Sequence, residues 1–179
     1  MIYSPKGGTG VTTLATNLAV TLNSTATNVV LVDGSLQFGD VTVFLNEQPR
    51  LSIADLAPRA DELDPEIINE VLINHAQTGL RILAAVPRPE MADKITGQQF
   101  VKILQFLRRL YHFVIIDTSS YLTEPIIAAL DEADLIVLLT TQDIPAIRDT
   151  KIFLNLVESF NISKEKLLFV LSKSDKRIP

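Results

Sequence analysis

Ser4-Pro5-Lys6-Gly7-Gly8-Thr9-Gly10-Val11-Thr12-Thr13 joins a strand stub at Met1–Ser4 to a helix whose apolar stripe is Leu14, Leu18 and Leu22. Glycine lets successive backbone N–H groups turn inward around an anion, and the start of a helix adds the positive end of its dipole. The segment therefore reads as a phosphate cradle. The ordinary phosphate loop follows G-x-x-x-x-G-K-[ST]. Laid on Pro5–Thr12, that pattern keeps Gly10 and Thr12 but finds Pro5 at the first glycine and Val11 at the lysine. A tight strand-to-helix turn that binds nothing would use the same glycines. The position directly before a helix favours phosphate.

Beyond this segment, short runs rich in aliphatic and β-branched residues recur at Asn28–Val32, Leu80–Val86, Phe113–Ile116, Leu135–Thr140 and Leu167–Leu171. Their polarity does not alternate, which is the pattern of strands buried on both faces of a parallel sheet. Between them lie helical stripes: Phe100, Ile103, Leu104, Leu107 and Leu110; Ile67, Ile68, Val71 and Leu72; and Ile152, Phe153, Leu156, Val157 and Phe160. Strands alternating with helices predict a three-layer α/β domain, a mostly parallel sheet with helices on both faces. Glu47–Pro65, with three prolines, reads as an elaborated connection after the second strand. In such sheets ligands bind at the carboxyl ends of the strands. Two further ends carry marked residues. Val30-Leu31-Val32-Asp33-Gly34-Ser35 places a carboxylate about twenty residues past the cradle. Phe113-Val114-Ile115-Ile116-Asp117-Thr118 is four apolar residues and then an acid, the form of a strand that directs a carboxylate at a phosphate-bound metal. A competing dinucleotide fingerprint, Gly8-x-Gly10-x-x-Thr13 with Asp33 downstream, lacks its third glycine and leaves Lys6 and Asp117 without a role.

Composition narrows the class. The 179 residues are 47% hydrophobic and 21% charged, with a net charge of −5. That is globular usage and argues against bulk nucleic-acid binding. Cysteine is absent, which excludes disulfides, a thiol nucleophile and Cys-ligated metal. His75 and His112 read as surface or helix-end residues, and Lys164, Lys166, Lys173, Lys176 and Arg177 as a solvated basic face. The longest apolar runs, such as Leu135–Leu139, fall far short of the roughly 18 residues of a membrane span. With no signal-peptide pattern, a soluble cytoplasmic protein is expected.

Lys6–Thr13 resembles the deviant Walker A motif, K-G-G-x-G-K-T-T, of the MinD/ParA ATPases, a P-loop NTPase family; seven of eight positions agree. Val32–Val41 is similar to the D-x-D-x-Q-F-G-D-V stretch of that family's CpaE/TadZ pilus-assembly branch, as are Pro87–Asp93, Asp117-Thr118-Ser119 and Thr141–Pro145. In that branch an ATPase-like domain often follows a receiver-like domain of the response-regulator kind. The short run before the loop and the end at Pro179 then suggest one MinD/ParA-like domain over 1–179, a fragment lacking part of its first strand and its C-terminal elements. The resemblance implies ATP or ADP with magnesium as cofactor. Lys6 would be the signature lysine that reaches across a homodimer to the partner's phosphates. Gly7, Gly8, Thr9 and Gly10 would wrap the phosphates, with Val11, Thr12 and Thr13 completing the loop. Thr12, Asp33 and Asp117 would hold magnesium.

The departures from the family pattern are informative. Val11 stands at the P-loop lysine, and a valine neither donates a hydrogen bond nor neutralises phosphate. Ser35 stands at the second switch aspartate, and serine is no base at neutral pH. Ser172 replaces an asparagine that the family often uses to read adenine. The resemblance thus implies a degenerate, dimerising nucleotide-binding scaffold that helps assemble a Tad (type IV) pilus at the cell pole, with pilus and secretion proteins as partners. Two alternatives are an active ATPase driving a dimer switch and, more remotely, a dinucleotide-binding enzyme. Phe38 and Tyr121 read equally as dimer contacts or as plain packing.

Overall fold

Val29–Asp33 (β2) is apolar up to its terminal acid and buried along its whole length. Its side chains alternate between two separate cores, Val30 and Val32 into one and Val29 and Leu31 into the other. A strand covered on both faces needs a layer on each side, and that requirement organises the molecule. The computed structural model describes residues 1–160 and 162–174. The other strands are β1 (Ile2–Tyr3), β3 (Ile73–Asn74), β4 (Arg81–Leu83), β5 (Phe113–Asp117), β6 (Ile136–Thr140) and β7 (Leu167–Leu171). They form two sheets, ordered β3-β4-β2-β5 and β1-β6-β7. All pairs are parallel except β3 with β4. The sheets meet where β1 lies beside β5, and the Thr118 hydroxyl donates to the Ile2 carbonyl at 2.7 Å.

On one side, helix α1 (Val11–Leu22) turns its small residues Ala15 and Ala19 onto β2, with Leu14, Leu18 and Leu22 flanking them. On the other side lie α3 (Ile53–Leu56), α4 (Pro65–Val71) and α5 (Gly97–Leu110). Phe100, Ile103, Leu104 and Leu107 of α5 are all buried, as their spacing predicts. Thr96 and Gln99 form a capping box that fixes where α5 begins. A third cluster joins Tyr3 and β6 to α6 (Glu124–Glu132) and α7 (Ile144–Ser159). The predicted α/β architecture is therefore the observed one.

Several local expectations need correction. Helix α6, which the sequence reading does not include, buries Pro125, Ile126, Ala129 and Leu130, too short a stripe to stand out in sequence. The two-residue β3 offers no periodicity at all. The Leu80–Val86 run supplies just three strand residues, because the Ala84 carbonyl leaves the ladder to accept from the Ile53 N–H at 3.0 Å. In β7, Leu168, Phe169 and Leu171 are half-exposed, since β7 pairs with β6 alone among the described residues. In α7 the buried stripe is Ala146, Thr150, Phe153 and Val157, leaving Ile152 exposed. His75 is buried in a turn, its Nδ1 2.7 Å from the Thr78 hydroxyl, whereas His112 is exposed just past α5. The Glu47–Pro65 connection holds α3, whose Ser52–Asp55 capping box gives it a defined start.

Candidate functional site

The glycine-rich segment forms a tight turn directly before α1. Gly8 and Gly10 adopt φ of +74° and +103°, left-handed values that side chains other than glycine rarely take. Gly10 is the N-cap of α1 and offers no side-chain oxygen to the helix. The first N–H groups of α1 are thus left for an external acceptor. The hydroxyl of Thr9 is buried with no partner. A cavity of about 730 Å³ opens against residues 6–13, the Gly34–Phe38 turn, Ser119–Tyr121 and Lys173.

Beneath it lie the two strand-end acids. The β2–β5 register sets Asp33 directly opposite Asp117, and the Gly34 N–H donates to the Asp117 carbonyl at 2.8 Å. Thr12 Oγ1 donates to Asp117 Oδ2 at 2.9 Å, so loop and strand end are coupled side chain to side chain. Asp117 Oδ1 is buried and has no partner. Asp33 accepts from the Ser35 N–H at 3.2 Å and the Val41 N–H at 3.1 Å, which fixes the turn leading to α2 (Val41–Phe44). Burial pushes the Asp33 carboxyl up to about 7, with the Asp117 carboxylate adding to the push. Burial likewise raises Asp117 to about 6, against the pull of the Thr12 hydroxyl. Two facing acids held this way favour the arrival of a cation. No group of three His, Cys, Asp or Glu side chains converges on a metal geometry among the described residues. A magnesium ion here would use the Thr12 hydroxyl, the Asp117 carboxylate, and phosphate and water oxygens, its usual mixture. The orphaned Asp117 Oδ1 fits that role. Asp33 faces Asp117, but both its oxygens are already held by backbone N–H groups.

The remaining candidates divide. Val11, at the lysine position, packs against the α1 core. Thr13 is exposed and lines the cavity. Gly7 lies exposed in the loop, and a methyl added there would meet no atom within 4 Å. Ser35 turns its hydroxyl onto the Phe38 carbonyl at 3.1 Å. Lys6 forms an ion pair with Asp143 of its own chain, where the family resemblance has it reaching across a dimer. Asp143 is also the N-cap of α7, accepting from the Ala146 N–H at 3.1 Å. The Lys6 ammonium, with the Thr141 hydroxyl and that N–H, holds the Asp143 carboxyl well below the usual carboxylate range. Ser172 donates to the Thr9 carbonyl at 2.7 Å. Lys173, counted in the sequence as part of a solvated face, instead donates to the Gly8 carbonyl at 2.6 Å. Only its short spacing from the β7 run hinted at a strand-end position. Lys164 pairs with Glu158, and Lys166 donates to the Asp131 carbonyl at 3.0 Å. Lys176 and Arg177 lie outside the described residues.

The family profile described as "AAA domain" matches residues 1–169. The septum site-determining protein MinD of Thermotoga maritima is 25% identical over 175 residues, 97% of this chain and 63% of its own length. That of Synechocystis is 24% identical, over 94% of this chain and 62% of its own. The chain thus spans about three-fifths of the length of these relatives. Among solved structures, a ParA family ATPase from Chlorobium tepidum superposes with TM-score 0.90 at 22% identity, over 98% of this chain and 75% of that one. MinD complexed with Mg-ADP from Pyrococcus horikoshii gives 0.80 at 23%, over 99% and 72%. The chain belongs to the AAA domain family and is similar to MinD and ParA proteins across nearly its whole length.

Proposed function

We propose that this domain binds a magnesium–adenine nucleotide at residues 6–13 and uses it to bias assembly of a homodimer, with hydrolysis slow or absent. The observation that carries the reading is the uncapped, glycine-turned start of α1 coupled through Thr12 to an Asp117 whose second oxygen is buried and unpaired. That pair fits magnesium, and when bound the ion would supply charge neutralisation for the phosphates. Slow hydrolysis is supported by Val11 at the lysine position and by the Ser35 hydroxyl being turned onto a backbone carbonyl. Dimerisation is supported by an exposed apolar rim: Phe38, Phe44 and Tyr121 line the cavity mouth, and Phe38 and Tyr121 are 74% and 78% exposed. Clustered exposed apolar groups mark an interaction surface, and a second copy of this chain would cover this one. Among the described residues no helix is long and apolar enough to cross a membrane; in this reading partners bring the domain to the cell pole or the inner-membrane face. The Gln37-Phe38-Gly39-Asp40 turn and the branch resemblance around it support a pilus-assembly scaffold, with secretion-machine proteins as those partners.

The test is sedimentation of the protein with Mg–ATP, Mg–ADP and no nucleotide, with phosphate release followed in parallel. The proposal expects a dimer favoured by Mg–ATP and turnover far below that of a lysine-bearing relative. A nucleotide-indifferent sedimentation profile would refute the switch. A second reading, a working ATPase, rests on Lys6 lining the cavity. It requires Lys6→Ala to abolish measurable turnover.

A further inference from the structure

The cavity contains an imbalance of charge. Asp40, Asp93 and Glu124 line it, and Asp33 and Asp117 lie buried beneath it. A nucleotide triphosphate entering such a site needs cationic groups, and the loop's own lysine is a valine. Two basic side chains line the cavity, Lys6 and Lys173. Lys6 is committed to Asp143, which also serves as a helix cap. Lys173 is different. Among the described residues no carboxylate pairs with it, and its ammonium spends one hydrogen bond on the Gly8 carbonyl of the cradle. An ammonium has three donors, so two remain for an anion.

Its placement is built rather than accidental. Lys173 follows the end of β7 in a left-handed backbone conformation, φ +52°, which turns the chain sharply at that point. The preceding residue is pinned twice, by the Ser172 N–H donating to the Thr140 carbonyl at 2.8 Å and by the Ser172 hydroxyl on the Thr9 carbonyl. The strand end is therefore stapled to the loop, and Lys173 is delivered to the rim of the cradle from a different element than the usual lysine.

We infer that Lys173 is the phosphate-neutralising cation of this site, standing in for the lysine that Val11 replaces. This rests on the nucleotide-binding reading above. Lys173 binds and positions; it is assigned no step in hydrolysis.

The experiment is calorimetric titration of Mg–ATP, Mg–ADP and adenosine into the wild-type protein, Lys173→Met, Lys173→Arg and the Val11→Lys/Lys173→Met double variant, with a thermal melt of each as a check of folding. Loss of a charge-assisted hydrogen bond predicts a fall of about ten- to a hundredfold in Mg–ATP affinity for Lys173→Met. Adenosine affinity should hold, Lys173→Arg should keep most Mg–ATP binding, and the double variant should recover it. A merely structural role would lower nucleotide and nucleoside together and would not be rescued at position 11. Wild-type binding left unchanged in Lys173→Met would overturn the inference and leave the nucleotide reading standing. Absence of Mg–ATP binding by the wild type would overturn both.

Discussion

Gly39→Ala probes the turn that shapes the acid side of the site, and its cost can be worked from the structure. A methyl at Gly39 would lie 2.3 Å from Asp33 Oδ2 and 2.5 Å from the Ala85 Cβ, both closer than real contacts come. Neither neighbour can yield easily. Asp33 is 1% exposed with both oxygens bonded, and Ala85 is buried just beyond β4. The turn must therefore move outward, and the Val41 N–H to Asp33 bond goes with it. Forcing extra volume into packed surroundings costs about 1–3 kcal/mol. Above pH 7, where Asp33 is ionised, losing a hydrogen bond to its carboxylate costs about 1.5–3 kcal/mol. The two share one displacement and do not add fully, so the loss should be about 2–4 kcal/mol. For a domain of this size that lowers Tm by about 4–16 °C. Gly7→Ala is the internal control: it meets nothing within 4 Å, and surface changes of that kind stay within about 0.5 kcal/mol. Thermal and urea denaturation of both variants settle the matter. A Gly39→Ala melting point within about 2 °C of wild type, or equal losses at both positions, would refute this account of the turn.

Other consequences are equally open to measurement. Asp33 and Asp117 have carboxyls raised above their ordinary 3.8, so the nucleotide-free native state holds more protons than the unfolded chain between that value and about 7. Stability should therefore fall as pH rises through this window, and urea midpoints taken across it should show a decline that Asp33→Asn flattens. Lys6→Ala removes only a half-exposed ion pair and should cost little, whereas Asp143→Ala also removes the cap of α7 and should cost more; chemical denaturation separates them. Phe100→Ala empties a fully buried position in the α5 core and should cost about 3–5 kcal/mol by the same assay.

Much of the site was legible because it depends on local chemistry. Gly8 and Gly10 announce a turn that only glycine makes comfortably, and Asp33 and Asp117 each close an apolar run, so their place at strand ends follows from the run itself. Their mutual register, Asp33 opposite Asp117, is a finding of the structure. What sequence could not supply were contacts across long separations. The Lys173 to Gly8 bond spans 165 positions and the Lys6 to Asp143 pair spans 137. Neither leaves a spacing signal, and a basic residue near a chain's end looks the same whether solvated or docked. The same limit applies to β7: its apolar residues fit a buried strand, but the composition of Leu167–Leu171 cannot say how many neighbours it has. Helix α6 was lost for a different reason, because a nine-residue helix with four buried positions offers too short a stripe to show a period.

A phosphate loop without its lysine should still hold a magnesium nucleotide. Calorimetric titration of Mg–ATP into the protein, with Mg–ADP and magnesium-free ATP as controls, tests it most directly. The account predicts micromolar, magnesium-dependent binding, and with it about 2.7 kcal/mol of added stability at a ligand concentration one hundred times the Kd. No heat of binding at millimolar ATP, with no shift in melting, would contradict it and leave the fold as a scaffold whose loop binds nothing.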